Sequence, residues 1–136
     1  QIQCRLMDLG SHVATPSPES GKGSAKEVPR VQVEARWIEE VEAWIDEMEE
    51  NLPPLKNFIL PSGGLSSSTL HVARTICRRT ERNIVGLVHD EQVAAEAGKY
   101  VNRLSDFLFV AARFSCFKEN KVETVYQKDR GAIKDK

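Results

Sequence analysis

Little in this chain ties it to a thiolate metal site, a disulfide framework or a membrane. Its 136 residues hold only three cysteines, Cys4, Cys77 and Cys116, widely spaced and never paired as Cys-x-x-Cys. An odd, scattered set argues against both a disulfide scaffold and a zinc cluster. Each falls in a helical pattern, where a free cysteine behaves as a small core residue, and a reducing compartment is implied. His12, His71 and His89 share no ligand-like spacing, and no Ser/His/Asp order suggests a hydrolase. The longest apolar run, from Phe107 to Ala112, falls far short of the roughly 20 residues a bilayer requires. The net charge is only −1, so no global field favours nucleic acid or an anionic membrane as partner. Repeats, strand-period alternation and a Gly-x-x-x-x-Gly-Lys-[Ser/Thr] phosphate loop are all missing.

What is present is a globular composition, 40% apolar and 29% charged, which suits one domain with a modest core. Four helical blocks carry it. Residues 1 to about 14 place Ile2, Leu6, Leu9 and Val13 three and four apart, a single apolar stripe, and the block starts without an N-cap. The Pro-, Gly-, Ser- and Lys-rich stretch over 16–30 cannot bury enough apolar surface and reads as a flexible surface loop. Residues 31–50 form a second helix with Val33, Trp37, Val41, Trp44, Ile45 and Met48 on its buried face and a run of acids elsewhere. Pro53 and Pro54 end it. Phe58-Ile59-Leu60 is a short apolar segment between prolines, and Ser62-Gly63-Gly64 leads into a third helix running to about Val88, with Ser66, Ser67 and Ser68 as N-cap choices. The fourth block, from about Glu91 to Phe117, is apolar on most of its circumference and belongs at the centre or at a subunit contact. A polar tail follows over 118–136. The fold class is all-α, a helical bundle.

The third helix carries the chemistry. At about 100° per residue, Arg74, Arg78 and Glu81 share a stripe about 60° wide, with Arg82 close by, at the edge of the apolar face. Residues 74–82 hold four arginines and one glutamate, a local charge of +3 in a nearly neutral protein. Planar guanidinium groups suit phosphate and stay charged when partly buried. The alternative is a set of salt bridges to the acidic second helix, and spacing leaves both readings open. On the fourth helix Asn102 and Asp106 share a face that Phe109 and Arg113 extend. Either Asp106 pairs with a third-helix arginine, or Asn102 offers hydrogen bonds to a nucleotide. The Ser62-Gly63-Gly64 turn could hold a phosphate at a helix N-terminus but is a weak signal on its own.

The run FILPSGGLSSSTLHVARTICRRTERNIV, followed by VNRLSDFLFVAAR, closely resembles the PduO-type ATP:cob(I)alamin (corrinoid) adenosyltransferases, including the animal mitochondrial enzyme. The opening QIQCRLMDLGSHVATP and the LPPLKNFILP segment look like the same family in the same order. The resemblance implies a ferritin-like five-helix bundle whose first helix is only partly present here. It implies a homotrimer with active sites between subunits. It also implies transfer of the 5′-deoxyadenosyl group of ATP to Co(I) of cobalamin with release of triphosphate, and Mg²⁺ as an accompanying ion.

By the same likeness Arg78, Arg79, Thr80, Glu81 and Arg82 match a nucleotide-binding segment, and Asn102 a second ATP contact. Arg74 matches an arginine paired across the subunit boundary, and Phe58 the aromatic that covers the lower face of the corrin. Arg74, Arg78 and Asp106 are the residues implied to act in catalysis. The family's Thr-Lys-x-Gly-Asp-x-Gly-type phosphate loop does not occur in these residues, so the N-terminal ATP-loop segment is expected to lie outside them. The expected partners are two further copies and a cobalamin-dependent mutase that receives the product, with no nucleic acid and no membrane. The expected compartment is the mitochondrial matrix for an animal protein and the cytoplasm otherwise. The rival expectation is a non-catalytic helical oligomerisation or cobalamin-delivery module.

Overall fold

A computed structural model describes residues 1–15 and 30–128; the expected 16–30 loop, apart from Arg30, and the end of the tail lie outside the described residues. Within them the chain forms four helices, α1 (Ile2–Ala14), α2 (Ala35–Glu49), α3 (Leu65–His89) and α4 (Ala95–Lys118), and no β-strand longer than one isolated bridge. The all-α expectation holds, and the block boundaries read from periodicity fall within a few residues of the helices.

α4 is the central element, packed on one side against α3 and on the other against α2. Its buried face is built from Ala97, Tyr100, Val101 and Leu104. Opposite them lie Trp37 and Val41 of α2, and Cys77 and Ile84 of α3. The small Ala97 lets neighbours approach while Tyr100 fills the gap, its ring edge-on to Trp37 at 5.7 Å. Trp44 meets Phe107 about two turns along at 5.8 Å. Side chains of this size contribute roughly 1.5–3 kcal/mol each when buried, so this seam holds α2 and α4 together.

α1 departs from the expected stripe. It buries Arg5, Leu9 and His12, whereas Leu6 stays 43% exposed. Arg5 pairs with Glu40 and lies over the rings of Trp37 and Trp44, 5.6 and 5.8 Å from their centroids. Its apolar stem and planar cation exploit the two indoles, which is why a charged residue takes the inward position. His12 bridges two distant segments, its Nδ1 donating to the Val31 carbonyl at 2.7 Å and its Nε2 accepting the Ala94 amide at 3.2 Å. Ile2 and Leu6 instead line an apolar groove of about 320 Å³ with Ala73, Ile76, Val101 and Leu108.

α3 does not use any of its serines as N-cap. The cap is Gly64 at φ 97°, preceded by Gly63 at φ 89°, a left-handed path that favours glycine. Gly63 is doubly constrained, because a Cβ there would meet the Cys116 sulfur at 2.4 Å.

Candidate functional site

The arginine stripe is present, but it does not reach the acidic helix. Arg78 donates to Glu81 at 2.6 Å, one turn along its own helix. Two acids of α2 are engaged elsewhere, Glu40 by Arg5 and Glu42 by Arg103, and among the described residues none of the others pairs with an arginine of the stripe. α4 explains this arrangement, because it lies in contact with both α2 and α3. Arg79 and Arg82 are exposed and form no ion pair among the described residues. The salt-bridge alternative for the stripe is therefore not what the structure adopts.

Glu81 is the hinge of the site. Its side chain is only 16% exposed, and its second oxygen accepts the Asn102 amide of α4 at 2.8 Å. One carboxylate thus orients a guanidinium on α3 and an amide on α4, while Arg78, half exposed, keeps its remaining donors toward solvent. Thr80 turns its hydroxyl back to the Ile76 carbonyl at 3.1 Å. Arg78 is thus a pre-oriented donor on this edge, which lowers the ordering cost of binding an anion there, whereas Arg79 and Arg82 are exposed side chains without an ion pair among the described residues.

Arg74 sits half-buried one turn earlier. Its guanidinium lies 5.3 Å from the Phe109 ring centroid, and its Nε is buried without a hydrogen-bond partner among the described residues. Removing a guanidinium donor from water without a partner is costly, so this position calls for an acceptor. His71 packs beside it, tilted on Phe109 at 6.1 Å, and its pKa is held below the ordinary 6.5 by burial and then by the Arg74 charge, against an opposing pull from Glu123. On the inner side of α3, burial pushes the Cys77 thiol up to about 11, Glu81 adding to the effect and Arg78 opposing it. That thiol donates to the Val101 carbonyl at 3.3 Å and is a packing group at neutral pH.

Asp106 does not pair with α3. It is exposed and accepts from Arg103 of its own helix at 3.1 Å, and Arg103 in turn reaches Glu42 of α2 at 3.0 Å. The (i, i+3) partner on the same helix face is simply nearer than any arginine of α3. Phe58 lies apart from the stripe, in the loop between α2 and α3, and is 83% exposed. An apolar ring that open has no packing role within the described chain.

Sequence reading missed what holds that loop. Arg113, buried on α4, donates to the Pro53 carbonyl at 2.9 Å and to Glu123 at 3.1 Å. Beyond α4 the chain turns back, and Ile59 and Val125 form an antiparallel bridge. A lone arginine on an apolar helix was the only signal available, since its partners stand 60 residues before it and 10 after.

The architecture is that of the PduO-type helical bundle. It superposes with TM-score 0.77 on a variant PduO-type ATP:corrinoid adenosyltransferase from Lactobacillus reuteri complexed with cobalamin and ATP, at 36% identity over 93% of this chain and 67% of that one. A second variant of that protein, complexed with ATP, gives the same TM-score at 38% identity. The sequence profile of the cobalamin adenosyltransferases matches residues 1–115, and the chain belongs to that family. Among its relatives are the corrinoid adenosyltransferases MMAB of Bos taurus, 47% identical over 95% of this chain, and of Homo sapiens, 45% identical over 95%. The corrinoid adenosyltransferase of Mycobacterium tuberculosis is 42% identical over 83%. The chain spans about half the length of these relatives, 52%, 50% and 57% respectively. Among the described residues no helix is long and apolar enough to cross a membrane.

Proposed function

We propose that the protein carrying this chain transfers the 5′-deoxyadenosyl group of ATP to Co(I) of cobalamin, releasing triphosphate. The observation that carries the reading is the Glu81 carboxylate holding Arg78 and Asn102 in one constellation, on the two motifs that resemble the family's ATP contacts. Co(I) is a strong nucleophile. Its electron pair forms the bond to C5′ as the C5′–O bond breaks, and that oxygen leaves with the triphosphate. The protein's work is positioning the reactants and balancing the charge that departs. Arg78 and Arg82 face the phosphates, flanked by Arg79 and Thr80, and Asn102 hydrogen-bonds the nucleotide. Asp106 steadies Arg103, which links α4 to α2.

The proposal extends to Phe58 as the aromatic against the lower face of the corrin. An exposed apolar ring excludes a lower axial ligand, which makes Co(II) easier to reduce because Co(I) does not favour one. Magnesium is proposed as the ion accompanying the triphosphate. The described residues contain no group of three or more His, Cys, Asp or Glu side chains placed to hold it. A homotrimeric five-helix bundle with sites between subunits completes the picture. It is supported by the open apolar groove at α1, α3 and α4 and by the unpartnered Arg74 Nε, which an aspartate of a neighbouring copy would satisfy. A cobalamin-dependent mutase is the proposed receiver of the product. The mitochondrial matrix is the proposed compartment for an animal source, given the MMAB relatives, and the cytoplasm otherwise.

The test is to supply ATP and chemically reduced cobalamin and follow the absorbance change to adenosylcobalamin. Formation of product that depends on Arg78 supports the reading. Corrin binding without product would instead favour a delivery module.

A further inference from the structure

We propose that Arg113 is a positioning residue for Phe58, acting by tying the segment after α4 to the loop that carries the ring. The inference rests on the reading of Phe58 as the ring against the corrin. With its side chain 83% exposed, Phe58 has almost nothing of its own to pack on, so its direction is inherited from the backbone. That backbone is held at both flanks by the strip that follows α4. The Tyr126 amide donates to the Phe58 carbonyl at 2.7 Å, and the Leu60 amide donates to the Thr124 carbonyl at 2.8 Å. The Thr124 amide donates to the Ser62 hydroxyl at 2.8 Å, which itself donates to the Leu60 carbonyl at 2.9 Å.

Gly63 lies close against Cys116, but packing does not back the loop around residues 52–59. A cavity of about 420 Å³ separates it from α4, with Pro54, Ile59, Cys116, Val122 and Val125 among its walls. The tie across that space is Arg113. Its side chain is 6% exposed, and its two bonds go to the two pieces of chain that must stay in register, Pro53 at the start of the loop and Glu123 on the strip. A buried guanidinium must keep its partners, so the pair resists separation more than an exposed one would. The planar fork reaches both at once, which a single ammonium does less well.

The experiment compares Arg113→Met, Glu123→Gln and Phe58→Ala in the full chain, with cob(II)alamin and ATP as probes. Electron paramagnetic resonance reads the fraction of Co(II) lacking a lower axial ligand, calorimetry reads ATP affinity, and hydrogen exchange without ligands reads the Leu60 and Tyr126 amides. We expect Arg113→Met to exchange both amides faster and to lower the ligand-free Co(II) fraction about tenfold. We expect ATP affinity within about twofold of the parent, since Arg113 touches neither Glu81 nor Asn102. Glu123→Gln, at a residue whose side chain is 26% exposed, should show the same pattern more weakly, and it carries the test if Arg113→Met does not fold. Parent-like exchange at both amides, or a parent-like Co(II) signal in Arg113→Met where Phe58→Ala loses it, overturns the proposal. A parent-like signal in Phe58→Ala refutes the reading of Phe58 itself, and the positioning role falls with it.

Discussion

Replacing Glu81 separates its two jobs. In Glu81→Ala the Asn102 amide loses a charged acceptor in a part-buried position, worth about 1.5–3 kcal/mol. The pair with Arg78 adds only about 0.3–0.5 kcal/mol, because Arg78 is half exposed and the interaction is screened. Urea unfolding should therefore show a loss of about 2–3 kcal/mol. Glu81→Gln keeps an acceptor for Asn102 and should lose about 1 kcal/mol. In both variants Arg78 is no longer held. Ordering it on binding ATP then costs about 0.5–1.5 kcal/mol, a two- to tenfold weaker affinity by calorimetry. Removing a negative charge near phosphates acts the other way, but salt screens that gain, so the weakening should be clearest at about 0.15 M salt and shrink at low salt. Unchanged ATP affinity at that salt, or a Glu81→Ala protein as stable as the parent, would refute the constellation.

Other consequences follow from single residues. His12→Ala removes a side chain 2% exposed and both of its bonds, so it should cost about 2–4 kcal/mol by chemical denaturation; a loss under about 1 kcal/mol would contradict its bridging role. Gly63→Ala combines a left-handed φ with a contact at 2.4 Å to Cys116, and should lower the melting temperature by several degrees, about 2 kcal/mol or more, whereas the same change at Gly10, where nothing lies within 4 Å, should not. Cys77 links pH to stability. Its thiol is raised from 9.0 to about 11 by burial, so the unfolded chain ionises first and stability should fall as pH climbs from 9 toward 11, an effect that Cys77→Ser or Cys77→Ala should flatten. Below pH 9 the same thiol should resist an alkylating reagent that modifies exposed Cys4 readily, as mass spectrometry would show.

The helices were legible because each carries its own period, and of the two places that α4's apolar circumference allowed, the centre or a subunit contact, the fold shows it at the centre. The arginine stripe was legible for the same reason, since Arg74, Arg78 and Glu81 share one helix. What escaped depends on elements meeting. Arg5 turns inward only because Trp37, Trp44 and Glu40 of α2 receive it, and nothing in α1 announces that. The α3 cap passes to Gly64 rather than a serine because the chain arrives with positive φ beside Cys116 and Lys121. Asp106 could equally have met α3, and only the register of the bundle gives it to Arg103. Glu123 stands in a stretch without periodicity, so its bond to Arg113 left no trace in the pattern.

The central claim is tested most directly by single-turnover formation of adenosylcobalamin from ATP and reduced cobalamin, in the parent protein and in Arg78→Met. The account predicts product and triphosphate in equal amounts from the parent, and at least about a tenfold slower rate at subsaturating ATP in the variant. Binding of both substrates by the parent without any cobalt–carbon bond formed, or a variant as fast as the parent, would contradict it.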